Sequence, residues 1–184
     1  KYCAEMGLKG IVLGGFPNGS GHPTPDDDRF WTAALDMNMP VTVHIDFDRG
    51  TNSDGPMNTF AYPRRPVDVV PHLGPMGGMV EQVGRFGRAG ATNIVQLVLS
   101  GVFERFPELK IFWAENQIGW VPFFMETADV RYKRHIYWAE RLLGFKPLRR
   151  SPSEYIRDHC LWGFQQDRSG VELRHHMGVD RLIW

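Results

Sequence analysis

Short, continuous apolar runs alternate along the chain with longer segments whose apolar residues recur every three or four positions. Runs of the first kind suit strands buried on both faces, and segments of the second suit amphipathic helices. Gly10 to Phe16 predicts a first strand, followed by a loop at Pro17 to Gly21. A helix is expected near Thr24-Pro25-Asp26-Asp27, where Thr24 can cap, Pro25 fits the first helical position and the acids favour the first turn. Phe30, Ala33, Ala34 and Met37 give this helix an apolar stripe, and Pro40 lies just beyond its end. Val41 to Ile45 predicts the second strand. From Asp46 to about Gly90 the chain is rich in Gly, Pro, Asn and Arg and predicts a long loop, within which Pro75 to Val83 reads as helical. Loops of that length in compact domains tend to be functional.

Thr92 to Phe106 has helical spacing through Ile94, Leu97, Val98, Gly101, Val102 and Phe106, and Pro107 stops it. Leu109 to Glu115 predicts the third strand, and an aromatic-rich helix follows from about Gln117 to Leu143. Ser151-Pro152-Ser153-Glu154 has the form of a capping box and opens a short helix. Cys160 to Phe164 predicts the fourth strand, Ser169 to His176 a helix ending at a left-handed Gly178, and Leu182 to Trp184 the start of a fifth strand. There is no repeat of fixed period and no low-complexity segment.

Strands alternating with helices imply an α/β fold with a parallel sheet. Two architectures compete: a doubly wound open sheet, and part of a (β/α)8 barrel. Gly14-Gly15-Phe16-Pro17-Asn18-Gly19 does not fit a dinucleotide fingerprint, because Pro17 interrupts the turn. In both architectures function gathers at the carboxyl ends of the strands. That rule directs attention to Phe16 to Asn18, His44 to Asp48, Glu115-Asn116 and Phe164 to Asp167.

The 184 residues suit one domain. With 42% hydrophobic and 23% charged residues, the composition is that of an ordinary globular protein. The 21 basic and 21 acidic residues cancel, which argues against a nucleic-acid partner or an anionic membrane surface. No apolar run approaches the ~20 residues of a membrane-spanning helix. Lys1 to Glu5 contains no apolar core of a signal peptide. Two cysteines, Cys3 and Cys160, are too few for a disulfide framework, so a reducing, cytoplasmic setting is expected. Lys1 to Met6 reads as the tail of a helix and Arg181 to Trp184 as the opening of a strand, so the chain is expected to be a piece of a longer one.

His44 is the sharpest chemical signal. It ends a β-favouring run, and imidazole serves as a zinc ligand or as an acid or base near neutral pH. Position alone leaves it open between such a role and a buried imidazole satisfied by a carbonyl. Glu115 directly follows an apolar strand, where a carboxylate is costly unless paired, hydrogen-bonded or metal-bound. Neighbouring strands lie about 4.8 Å apart, so the two side chains can converge if their strands pair. Asp167 reads equally as a site residue or as a helix cap. Asp46 and Asp48 alternate with His44 on one face if the strand continues that far, and are otherwise loop carboxylates. His72 and the Arg64-Arg65 pair are weaker candidates in the long loop, and His22, His135 and His159 lack metal-ligand spacing. His175 and His176 are adjacent, so on a helix they diverge by about 100°. Of the aromatics at 113, 120, 123, 124, 132 and 138, Trp120 is the exception to plain core packing, because it lies near a strand exit. Phe16, Asn18, Trp120 and Asp167 form the expected substrate-binding set. No nucleophile elbow, phosphate-binding loop or cysteine pair at metal spacing is present.

With these residues in view, the sequence resembles the amidohydrolase-related family, the metal-dependent barrel enzymes that include the aminocarboxymuconate-semialdehyde decarboxylase-like proteins. Three blocks carry the likeness. They are Asp28-Arg29-Phe30-Trp31 through Met39-Pro40-Val41-Thr42-Val43-His44, then Gly101-Val102-Phe103-Glu104-Arg105-Phe106-Pro107 on through Ala114-Glu115-Asn116-Gln117-Ile118-Gly119-Trp120, and Pro152-Ser153-Glu154-Tyr155 with Met177-Gly178-Val179-Asp180-Arg181-Leu182-Ile183-Trp184. The resemblance implies an incomplete (β/α)8 TIM barrel covering roughly strands four to eight. It implies that His44 is the strand-five metal ligand and takes part in catalysis. Glu115 stands where many decarboxylase members carry a catalytic His in an Ala-His-Gly-Gly segment, while carboxylates are common there in the hydrolase-named members. The family's His-x-His on strand one and its Asp after strand eight lie outside these residues, so only part of the metal site is expected here.

For the whole protein the resemblance implies one divalent ion, with zinc the expected metal for His and carboxylate ligands. Glu115 is then a second ligand or a general acid/base. The leading expectation is a hydrolase in which metal-activated water attacks a small carbonyl-containing substrate. The alternative is a non-oxidative decarboxylase of a small aromatic or unsaturated acid. A third reading, of another class, is a barrel kept for binding or assembly without catalysis. The expected partner is a small molecule, with a homodimer left open.

Overall fold

The computed structural model describes residues 2–44 and 88–184. Asp46, Asp48, Arg64, Arg65, His72, the Pro75 to Val83 helix and most of the expected long loop lie outside the described residues. Five strands form one sheet in chain order: β1 (Ile11–Leu13), β2 (Val41–His44), β3 (Ile111–Ala114), β4 (Cys160–Gly163) and β5 (Leu182–Ile183). Each neighbouring pair is parallel. A doubly wound sheet reverses its strand order at a switch point. This sheet never does, and it is the wall of an incomplete (β/α)8 barrel.

The helices are α1 (Tyr2–Glu5), α2 (Asp28–Asp36), α3 (Arg88–Leu99), α4 (Val102–Arg105), α5 (Val121–Leu143), α6 (Pro152–His159), α7 (Arg168–Glu172) and α8 (Arg174–Met177). None of the described helices is long and apolar enough to cross a membrane.

Strand alternation divides the sheet into two faces. Val41, Val43, Ile111, Trp113, Cys160 and Trp162 are buried and share one core with Ile94, Leu97, Phe103 and Ile156 from the helices. Each such side chain contributes roughly 1.5–3 kcal/mol by leaving water. Thr42, Phe112 and Leu161 turn to the other face, which is the inside of the barrel wall. With Ile183 they line a cleft of about 450 Å³ that opens toward Pro40, Leu109 and Lys110, at the amino ends of the strands.

Local chemistry explains the element ends. Ahead of α2, Thr24 Oγ1 accepts from the Asp26 N–H at 3.3 Å, and the buried Asp27 carboxylate accepts from the Thr24 N–H at 2.9 Å. The Ser151 N–H donates to the Glu154 carboxylate at 2.9 Å and opens α6.

Several expected elements are shorter or broken. The Thr92 to Phe106 helix is two helices, because Gly101 takes a left-handed conformation (φ +71°) that side chains resist. The helix expected from Gln117 starts at Val121, since Gln117 also has positive φ (+55°). The Ser169 to His176 helix breaks at Leu173 into α7 and α8. Gly178 has positive φ (+95°) but an extended ψ (+114°), so it ends α8 without the left-handed helical cap.

One buried histidine ties helix to sheet. His159, at the end of α6, stacks on Phe103 of α4 with ring centroids 4.3 Å apart, and its Nδ1 donates to the Leu109 carbonyl at 2.7 Å. Burial disfavours the imidazolium and pushes its pKa below the usual value, with the Leu109 carbonyl pulling the other way. The unfolded chain, with histidine near about 6.5, therefore binds the proton more readily than the folded one. Stability from this site is fully present above about pH 6.5 and falls as pH drops toward the folded-state pKa. The unfolding midpoint of the protein should decline over that window. His159→Gln, which keeps a donor and cannot gain a proton, should remove the decline, as denaturant titrations at several pH values would reveal.

Candidate functional site

Parallel pairing sets His44 of β2 opposite Ala114 of β3, so Glu115 is one residue past that level on the adjacent strand. His44 Nε2 and Glu115 Oε2 are 3.6 Å apart, with the side chains 34% and 47% exposed. Solvent and a small ligand can therefore reach both groups. Two donors held 2.0–2.2 Å from a tetrahedral ion stand about 3.4 Å apart. The pair thus has the spacing and chemistry to share one divalent ion. Among the described residues no group of three or more His, Cys, Asp or Glu side chains is close enough to hold a metal.

The backbone at this edge is strained. Glu115 and Gln117 have φ of +54° and +55°, a region that costs a side-chain-bearing residue roughly 1 kcal/mol or more. Three sets of hydrogen bonds hold it there. The buried Asn116 donates its N–H to the Gly163 carbonyl at 3.0 Å and its side-chain amide to the Ala114 carbonyl at 3.1 Å. The Trp120 indole donates back to the Asn116 carbonyl at 2.9 Å. Asp167 Oδ2 accepts from the N–H groups of Ile118 and Gly119, both at 2.6 Å, while its Oδ1 accepts from the Gly170 N–H at 2.8 Å and caps α7. This closeness requires glycine at 170, because a Cβ there would collide with Ile118 and lie 2.8 Å from the Gly119 nitrogen.

The expected substrate-binding set is largely consumed by such work. Asp167 is a clamp, with both oxygens spent on backbone donors. Asn18 receives the Ser20 N–H on its Oδ1 at 2.6 Å and donates its amide to Asp27 at 2.8 Å, to Thr24 Oγ1 at 3.0 Å and to the His22 carbonyl at 3.1 Å. It organises the loop after β1 and has no amide hydrogen left for a ligand. Phe16 is 5% exposed and belongs to the core. Trp120 packs edge-on against Trp162, with centroids 5.6 Å apart, behind the Glu115 turn. His135 accepts from the Trp138 indole at 2.9 Å, remote from the pair. The sequence places Asn116 and Asp27 at a strand exit and a helix start, but their burial, like the positive φ of Gln117, has no local pattern that could announce it.

The model of the Amidohydrolase family matches residues 1–184, and the chain belongs to that family. It is 27% identical over 184 residues to the decarboxylase OrsB of Emericella nidulans, covering 98% of this chain and 50% of that protein. Among solved structures it resembles 5-carboxyvanillate decarboxylase LigW from Sphingomonas paucimobilis, with TM-score 0.64 and 22% identity over 99% of this chain and 48% of that one. It also resembles a 5-carboxyvanillate decarboxylase from Novosphingobium aromaticivorans, solved with manganese and 3-methoxy-4-hydroxy-5-nitrobenzoic acid, with TM-score 0.66 and 18% identity over 97% of this chain and 47% of that one. The chain thus spans about half the length of these relatives.

Removing the clamp should unfold the edge before it touches chemistry. Asp167→Ala is expected to cost about 2 kcal/mol, since three backbone donors lose their acceptor. Denaturant midpoints check this. A weaker KM with unchanged stability would instead return Asp167 to the substrate.

Proposed function

We propose that the whole protein is a metal-dependent carboxy-lyase, removing carbon dioxide without oxidation from a small aromatic or unsaturated acid. The carrying observation is the 3.6 Å pairing of His44 Nε2 with Glu115 Oε2 at the carboxyl edge of a parallel barrel wall. The decarboxylases that this chain resembles support that reaction over the hydrolase expected first. Hydrolysis stays as the second reading because position 115 carries a carboxylate, a group suited to taking a proton from water. Manganese in a similar structure makes it, beside zinc, a metal to test.

A bound divalent ion would neutralise the negative charge of the substrate and hold it at the strand ends. His44 offers the lone pair of Nε2 and must be neutral to do so. In a carboxy-lyase reaction the bond to the carboxyl group breaks, its electron pair stays on the ring or alkene carbon, and a proton replaces the departing carbon dioxide. Glu115 is rooted in a strained and clamped turn, and its half-exposed carboxylate stands 3.6 Å from the His44 imidazole. It holds or delivers a proton there if the ion is bound mainly by other groups, and serves as a ligand otherwise. Asn116, Trp120 and Asp167 hold the backbone of that turn.

In the full-length protein, His44→Ala should lower bound metal, read by elemental analysis, together with at least about 100-fold of the activity. Unchanged metal content would remove His44 from the site. Glu115→Gln should keep the fold and reduce turnover by about 100-fold or more. Carbon dioxide release from a panel of hydroxybenzoates, with esters and lactones left intact, is the expected result. The reverse pattern establishes the hydrolase.

A further inference from the structure

The turn after β3 holds a second side chain on left-handed backbone. Gln117 has φ +55° and is half-buried, in a conformation that glycine would adopt without strain. Its Oε1 accepts from the Gln165 N–H at 3.4 Å, and the Gln165 carbonyl accepts in turn from the Trp184 indole at 3.0 Å. A backbone N–H can be answered only by the oxygen of a carboxamide, which fixes the two ends of this one. The bond is long and weak, too little to account for the strained backbone. Both hydrogens on Nε2 are left without an acceptor among the described residues.

This carboxamide lies at the same edge as the His44–Glu115 pair. The Asn116 N–H donates to the Gly163 carbonyl, so the turn after β3 leans over the end of β4, and the contact with Gln165 puts Gln117 Oε1 just past that end. The edge therefore carries an imidazole at β2, a carboxylate at β3 and an amide donor at β4. Two strand spacings, about 10 Å, separate β2 from β4. With the substrate's carboxyl group at the His44–Glu115 end, the far side of a single ring is the part turned toward β4. A neutral N–H donor suits an uncharged oxygen there, such as a ring hydroxyl, whereas a second carboxylate is better matched by arginine. A site built to donate to such an oxygen also rejects the analogue that lacks it.

Resting on the carboxy-lyase reading above, we propose that Gln117 Nε2 donates to an uncharged ring oxygen meta or para to the substrate's carboxyl group, and so selects aromatic acids that carry a second hydroxyl there. Carbon dioxide release by the full-length protein tests this on salicylate, whose one hydroxyl is beside the carboxyl group, and on β-resorcylate and gentisate, which add a hydroxyl para and meta to it. The wild type should favour at least one of the latter two over salicylate by about 10-fold or more in kcat/KM. Gln117→Gly should bring that preference to within about 3-fold, and so should Gln117→Met, which keeps the length of the side chain without its donor. Gln117→Gly should unfold at no lower denaturant concentration than the wild type, since glycine takes positive φ freely, so the lost preference is separated from lost fold. A purely structural Gln117 would instead lower turnover of all three acids alike and leave the preference standing. That result, or a wild type that decarboxylates salicylate as readily as the other two, would overturn the proposal and leave the carboxy-lyase reading intact. No carbon dioxide from any of the three would remove that reading and the proposal with it.

Discussion

Backbone hydrogen bonds between β2 and β3 hold Val41 to Ile111 and His44 to Ala114, and the candidate site depends on that register. Parallel strands bring their carboxyl ends to one edge, so a residue ending one strand meets the residue just past its neighbour. A slip of a single position would turn His44 to the opposite face of the sheet, among the helices. The pairing of imidazole and carboxylate is thus a consequence of a ladder whose stability comes from Trp113, Trp162 and the aliphatic residues packed behind it.

The edge combines a rigid frame with local strain. Glu115 and Gln117 occupy backbone conformations that an isolated turn would leave. They are retained because Asn116, Trp120 and Asp167 saturate the polar groups around them. Strain of this kind gathers where a side chain must be aimed. Here the strained residue is Glu115, whose carboxylate stands 3.6 Å from His44 and is half in solvent. Asp167 carries much of this frame: one carboxylate caps α7 and ties the turn after β3 to the segment after β4.

The inner face of the sheet, with Val12, Phe112, Leu161 and Ile183, is apolar, and it belongs to the interior of a barrel whose relatives have about twice this length.

The sequence by itself determined the succession of strands and helices, the parallel class of the sheet, and the placement of His44 and Glu115 at strand ends, along with a family likeness pointing to an incomplete barrel. Those features are written in local periodicity, capping residues and prolines, which act over a few residues. Only the tertiary structure decided the breaks at Gly101 and Leu173, the strained turn at Glu115, and the fates of Asn18, Phe16 and Asp167. Asp167 illustrates the reason. Its preference for capping was visible locally, but its two donors at Ile118 and Gly119 come from almost fifty residues away. Whether a polar side chain is spent on its own backbone or left for a ligand is settled by which distant N–H groups the fold brings to it, and no local pattern records that.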